Sequence, residues 1–203
     1  PYRRQRQMCI RDRVFCPSET TFKFFEGVMD EVVELFPSEY IHIGGDECPK
    51  TAWKNSAFCQ QLIRQLGLKD DVTPSKVDGV KHSKEDKLQS YFVTRMEKYL
   101  NDKGRNIIGW DEILEGGLAP NATVMSWRGV EGGLNAAKAG HNAIMTPMPY
   151  AYLDFYQEDP AIAPTTIGGY TTLKKTYSYN PAPDDADELV KNCLLYTSDA
   201  ADD

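Results

Sequence analysis

In Tyr40-Ile41-His42-Ile43-Gly44-Gly45-Asp46-Glu47-Cys48-Pro49 a strand pattern meets a pair of acids. Four β-prone residues run into two glycines, and an adjacent acid pair follows, so a short strand opens into a loop that carries charge. On a straight strand, neighbours point to opposite faces. Asp46 and Glu47 can share one pocket only if the chain bends, and Gly44-Gly45 permits that bend.

Phe22, Phe25, Met29, Val32 and Phe36 recur at spacings of three and four between Ser18 and Pro37, which predicts a helix with one buried face. Ser56 caps a second, shorter helix that uses Phe58, Cys59, Leu62, Ile63 and Leu66 and ends at Gly67. Residues 68–82 are polar, with Gly and Pro, and read as a surface loop. A long helix follows from about Ser83 to Asp102, with Leu88, Phe92, Met96, Tyr99 and Leu100 on one side. Asn106 to Trp110, Ala122 to Trp127 and Asn142 to Thr146 are three further strands, and Gly132 to Gly140 is a small helix between the last two. Each strand looks too apolar to keep a watered face, as parallel strands buried on both sides do.

Each strand also ends in polar or aromatic residues: Asp46-Glu47, Trp110-Asp111-Glu112, Trp127-Arg128, and Tyr150 to Asp154. Active sites of (β/α)8 barrels are assembled from such C-terminal strand ends. A doubly wound sheet would also bind beyond strand ends, but no glycine-rich phosphate loop is present. The expected class is α/β: a partial (β/α)8 TIM barrel of about four strands. From Trp110 to Val124 there is hardly room for a full crossover helix.

Composition sets the outer limits. The chain has 203 residues, 41% hydrophobic and 26% charged, with 23 Lys+Arg against 30 Asp+Glu. This is a globular composition, and the net charge of −7 argues against broad nucleic-acid binding, which needs clustered positive charge. No stretch approaches a membrane span, and no signal-peptide pattern opens the chain. The five cysteines, at 9, 16, 48, 59 and 193, include no C-x-x-C pair, so no metal site is expected. The ends look foreign to the middle. Residues 1–13 hold five Arg and no helix or strand period, and residues 193–203 (CLLYTSDAADD) end in a small acidic run. Both strings resemble translated sequencing-adapter read-through and are set apart as non-native, leaving 14–192 as the partial TIM-barrel domain. Resequencing the source DNA decides this: continuous native coding sequence through Arg13 and Cys193 would contradict it.

The string His42-Ile-Gly-Gly-Asp46-Glu47 is similar to the H-x-G-G-D-E signature of glycoside hydrolase family 20, the β-N-acetylhexosaminidases. Gly109-Trp110-Asp111-Glu112, Ser126-Trp127-Arg128-Gly129 and Tyr152-Leu153-Asp154 resemble that family's later motifs, in the same order. The resemblance covers about residues 18–180 and places the strands as numbers 4 to 7 of the family barrel, whose missing or shortened helices would explain the tight step before Val124.

A glycosidase needs an acid for the leaving oxygen and a stabiliser for the oxocarbenium-like carbon, usually two facing carboxylates. Neighbours in sequence do not flank a sugar that way. The family resemblance implies substrate assistance instead, in which the 2-acetamido oxygen attacks the anomeric carbon and forms an oxazolinium intermediate. It implies Glu47 as general acid, then base, and Asp46 as acceptor of the acetamido N–H. Tyr152 would donate to the acetamido oxygen, Trp110 and Trp127 would wall the methyl pocket, Asp154 would bind a sugar hydroxyl, and His42 would support the acid pair. Partners would be glycans bearing N-acetylglucosamine or N-acetylgalactosamine. No cofactor or metal is implied, and the family's usual location is extracellular, periplasmic or lysosomal.

Plainer readings compete. An Asp-Glu pair is often solvated surface, a large aromatic is often core, Tyr150 competes with Tyr152, and Asp111 and Glu112 suit structural hydrogen bonding better than catalysis. His82 and His141 have no ligand partner nearby in sequence. Gly-Gly-Asp-Glu also opens the GGDEF loop of diguanylate cyclases, but there Phe follows, whereas Cys48-Pro49 follows here. A non-catalytic carbohydrate-binding relative is the other alternative, and retention of both Asp46 and Glu47 counts against it.

A full barrel takes roughly 250 residues. The family's upstream strands, with a sugar-gripping Arg and an Asp-His pair, would precede residue 14, and its last strand would follow residue 180. The chain as written is therefore expected to be inactive or nearly so on a chromogenic N-acetylglucosaminide. Turnover comparable to a full-length relative would contradict this.

Overall fold

The computed structural model describes residues 14–182 and 188–196. The expected non-native block 1–13 and residues 197–203 lie outside them. The chain divides into two compact units after Ala122.

The first unit opens with α1 (Glu19–Leu35), where the Ser18 hydroxyl caps the Thr21 N–H at 3.2 Å. Its apolar stripe is only half covered. Phe22 is buried, Phe25, Met29 and Val32 are half-buried, and Phe36 is exposed, so the sequence reading overstated this helix's buried face. Strand β1 (Tyr40–His42) follows, then α2 (Thr51–Asn55) and α3 (Ala57–Gln65). Helix α4 (Lys84–Asn101) begins with a capping box in which the Ser83 hydroxyl takes the Asp86 N–H and the Asp86 carboxylate takes the Ser83 N–H. Those reciprocal bonds satisfy donors that a helix start would otherwise leave open. Strand β2 (Asn106–Trp110) pairs parallel with β1, Ile41 opposite Ile107. A four-residue 3-10 helix, Asp111–Leu114, closes directly onto the end of β2.

Long-range contacts tie α1 to α4. Arg95 pairs with Glu19 while its guanidinium lies 3.8 Å from the centre of the Phe22 ring, and the Tyr99 hydroxyl donates to Asp30 at 2.7 Å. Arg95 holds the Glu19 carboxyl below its ordinary range. A separate cluster gathers Trp53, Cys59, Ile63 and Leu88 beneath α2 and α3. The loop before α4 is less purely superficial than its polarity suggests, because His82 is buried and pairs with Asp78 at 2.9 Å.

The second unit contains β3 (Thr123–Ser126), α5 (Glu131–Lys138), β4 (Ala143–Met145), α6 (Met148–Ala151), α7 (Leu173–Tyr177), α8 (Glu188–Cys193) and β5 (Leu194–Tyr196). β3, β4 and β5 are parallel neighbours. Helix α5 crosses between β3 and β4 in strand–helix–strand fashion, as the sequence reading expected. The buried Ser126 hydroxyl anchors that crossover, accepting the Gly133 N–H at 2.9 Å and donating to Gly129 O at 2.7 Å. Gly133 itself has Met145 Sδ where a side chain would begin.

The four expected strands are all present. β5 is an addition, formed where the sequence reading expected no structure. β4 is buried along its whole length, but β1 buries only Ile41 and exposes Tyr40 and His42. Alternation of that kind belongs to a half-covered strand, so burial on both faces does not extend to β1. No helix among the described residues is long and apolar enough to cross a membrane.

Candidate active site

The bend after β1 is built by its backbone. Gly44 and Gly45 have φ of 75° and 95°, and Glu47 has φ of 44°, the one positive φ at a non-glycine residue among those described. Side chains resist this region, and it recurs at functional sites where surrounding structure enforces it. Here the enforcement is visible. The parallel ladder continues into the bend, with Ile43 N–H donating to Ile108 O and Trp110 N–H to Gly44 O, both at 2.9 Å. A Cβ at Gly45 would stand 2.6 Å from Ile113 Cγ2, and one at Gly109 would stand 2.8 Å from the same atom. Buried Ile113, on the 3-10 helix, thus fits only over two bare backbones.

The Gly45 carbonyl is held by Gln89, whose Nε2 donates to it at 2.7 Å. Lys50 Nζ bonds the other end of that amide, donates to Cys48 O at 2.9 Å and lies 3.8 Å from Asp86. Sequence reading missed Gln89 and Lys50. The available signal was that Gln89 falls on the face of α4 shared with Val93 and Met96, and a polar residue on a buried face must be bonded.

His42 contributes at the strand end. Its Nδ1 accepts the Gly44 N–H at 3.0 Å, which fixes the neutral tautomer with the proton on Nε2, and its ring meets Trp110 edge-on at 4.8 Å. Partial desolvation of the ring, although the residue as a whole is exposed, holds its pKa below the ordinary histidine range, against an opposing pull from Asp46. The neutral ring is favoured by folding, so this contribution is complete above the usual histidine pKa and is lost as pH falls through His42's own lower value.

Asp46 and Glu47 are exposed beyond the bend, and Trp110 is half-buried. Asp46, Glu47, Gln89 and Trp53 line a cavity of about 300 Å³ whose remaining wall is largely apolar, including Phe25, Met29 and Phe92. Asp111 and Glu112 are buried in the 3-10 helix.

In the second unit, Trp127 follows β3 and its ring stacks on Tyr152 at 6.4 Å and 24°, with Phe155 5.8 Å beyond. Met148 N–H donates to Trp127 O at 2.7 Å, which ties the two strand-end loops together. Tyr150 is engaged otherwise: it stacks on Tyr179 at 4.8 Å beneath the Lys175 ammonium, and its carbonyl takes the Thr176 hydroxyl. Asp154 is exposed in the turn that follows Tyr152. Within the first unit the structure brings together His42, Asp46, Glu47 and Trp110, and within the second Trp127 and Tyr152.

Residues 2–199 match the family model described as glycosyl hydrolase family 20, catalytic domain. The chain belongs to glycosyl hydrolase family 20. It is 50% identical over 176 residues to a β-hexosaminidase of Porphyromonas gingivalis and 35% identical over 176 residues to one of Vibrio furnissii. Those matches take 86% and 84% of this chain but only 21% and 26% of the relatives, so the chain spans about a quarter of their length or less. Among solved structures it is similar to the family 20 exo-β-N-acetylglucosaminidase of Vibrio harveyi in complex with N-acetylglucosamine (TM-score 0.73, 30% identity, 90% of this chain, 27% of that one). It also resembles the β-N-acetylhexosaminidase of Bacteroides fragilis (TM-score 0.68, 28% identity, 91% of this chain, 36% of that one). The parallel strands and their helices are thus part of a family 20 (β/α)8 barrel.

Replacing Gln89 by Leu keeps the volume but leaves Gly45 O and the Lys50 ammonium without their buried partner. Urea unfolding is expected to show a loss of about 1–3 kcal/mol, and a loss under about 0.5 kcal/mol would show that Gln89 does not hold the bend.

Proposed function

We propose that this chain supplies the acid-bearing part of a retaining β-N-acetylhexosaminidase, which releases terminal N-acetylglucosamine or N-acetylgalactosamine from glycans by substrate assistance. The observation that carries the reading is Glu47: an exposed carboxylate, next to Asp46, held in a backbone conformation that side chains avoid. Strain of that kind is retained where a group must point one way.

In this reading Glu47 donates its proton to the leaving glycosidic oxygen as the C1–O bond breaks, and the substrate's acetamido oxygen bonds to C1 in its place. Asp46 accepts the acetamido N–H and offsets the positive charge that spreads over the ring being formed. Tyr152 donates to the acetamido oxygen and orients it, a positioning role. Glu47, now ionised, takes a proton from the water that opens the oxazolinium, and configuration at C1 is retained. Trp110 and Trp127 wall the acetamido methyl group, and Asp154 binds a sugar hydroxyl. The Trp127–Tyr152 stack supports this choice of tyrosine, since Tyr150 is already committed to Tyr179 and Lys175. His42 supports the acid pair through the Gly44 N–H.

The test places residues 14–182 into the aligned segment of the Porphyromonas gingivalis β-hexosaminidase. The chimera is expected to hydrolyse a chromogenic N-acetylglucosaminide. Its Glu47→Gln variant should lose roughly 10²–10⁴-fold on a substrate with a poor leaving group and far less on an activated phenol. Equal losses on both would contradict the acid role. A folded chimera that binds N-acetylglucosamine without turnover would point instead to a carbohydrate-binding relative.

A further inference from the structure

Cys16 and Cys59 are 43 positions apart, yet their sulfurs lie 3.9 Å from each other. Cys59 is fully buried in α3, packed with Trp53, Ile63 and Leu88. Cys16 is exposed, in the short segment that leads into α1. That segment is pinned on both sides of Cys16. Trp53 Nε1 donates to Phe15 O at 3.0 Å, Pro17 is buried, and Cys16 O accepts the Ser18 N–H at 2.7 Å. The two sulfurs are therefore held as neighbours by contacts that do not involve them.

A disulfide needs about 2.05 Å between sulfurs. Closing the remaining gap takes a rotation about the Cα–Cβ bond of Cys16 and a small shift of the segment that carries it. We propose that Cys16 and Cys59 form a disulfide that staples the segment before α1 to α3. The oxidant is a small-molecule disulfide or an oxidised dithiol protein. The thiolate of Cys16 attacks one of its sulfurs and expels a thiolate; Cys59 then attacks Cys16 Sγ in the mixed disulfide and expels the second. The cysteine pair gives up two electrons and two protons, and the oxidant's two sulfurs leave as two thiols.

The surroundings suit a structural staple better than a redox catalyst. Partial desolvation of its sulfur, although the residue as a whole is exposed, and then the neighbouring Cys59 push the Cys16 thiol up to about 11, whereas reactive exchange centres have lowered values. The exchange is accordingly slow near neutral pH and quickens in base. Its consequence reaches the bend, since Val14 and Phe15 line the same cavity as Asp46, Glu47 and Trp53. The loop closed by the bond contains α1, β1 and the acid pair, and a loop of that length restricts the unfolded chain appreciably.

The test incubates the chain with oxidised glutathione at about pH 8.5, followed by peptide mapping without reductant and thermal unfolding. A peptide joining Cys16 to Cys59 is expected, with a Tm higher than that of the reduced chain by roughly 5 °C or more and no such rise in Cys16→Ser. The proposal is overturned if both thiols stay open to alkylation after oxidation. Joining of Cys16 to Cys48 or Cys9, or a Cys16–Cys59 bond that leaves Tm unchanged or lower, overturns it equally.

Discussion

Between Gly44 and Glu47 the backbone adopts positive φ at three of four residues, and the geometry of the first unit is arranged to hold it there. Left to itself, a non-glycine residue in that region costs about 1–2 kcal/mol. The cost is offset by fixed neighbours on each side. Trp110 N–H donates to the Gly44 carbonyl, Gln89 Nε2 donates to the Gly45 carbonyl, and His42 Nδ1 accepts the Gly44 N–H. Ile113 fills the space above Gly45 and Gly109, so neither position has room for a side chain. The result is an apolar strand that turns within two residues into an exposed acid pair.

The second unit solves a related problem with side chains. Ser126 bonds the turn and the helix after β3, and the bare Gly133 lets α5 sit down on Met145. The ends of β3 and β4 are thereby fixed, and from them the Trp127 and Tyr152 rings stack. Burial of β4 along its full length makes that end a rigid platform, in keeping with the rule that precise sites are placed on the scaffold and not on free loops.

Most of this was legible because it is written in local chemistry. Ser18, Ser56 and Ser83 mark three helix starts, the paired glycines mark the bend, and the four expected strands are short β-prone runs with clear stops. Two kinds of feature escaped. Periodicity shows that α1 is amphipathic but not how much of its stripe is covered, and coverage depends on neighbours distant in sequence. Gln89 and Lys50 act across 44 and 39 positions respectively, at Gly45 and Gln89, and no window of sequence contains such a contact. Strand β5 escaped for another reason: its three residues carry no period, and they pair only because β4 offers an edge.

The backbone conformation at Glu47 is imposed by its surroundings and not preferred by the residue. Comparing the unfolding free energies of Glu47→Gly and Glu47→Ala tests it most directly, since both lose the carboxylate and only glycine is at ease with positive φ. Glu47→Gly is expected to be the more stable by about 1 kcal/mol. Equal stability, or a more stable Glu47→Ala, would contradict it.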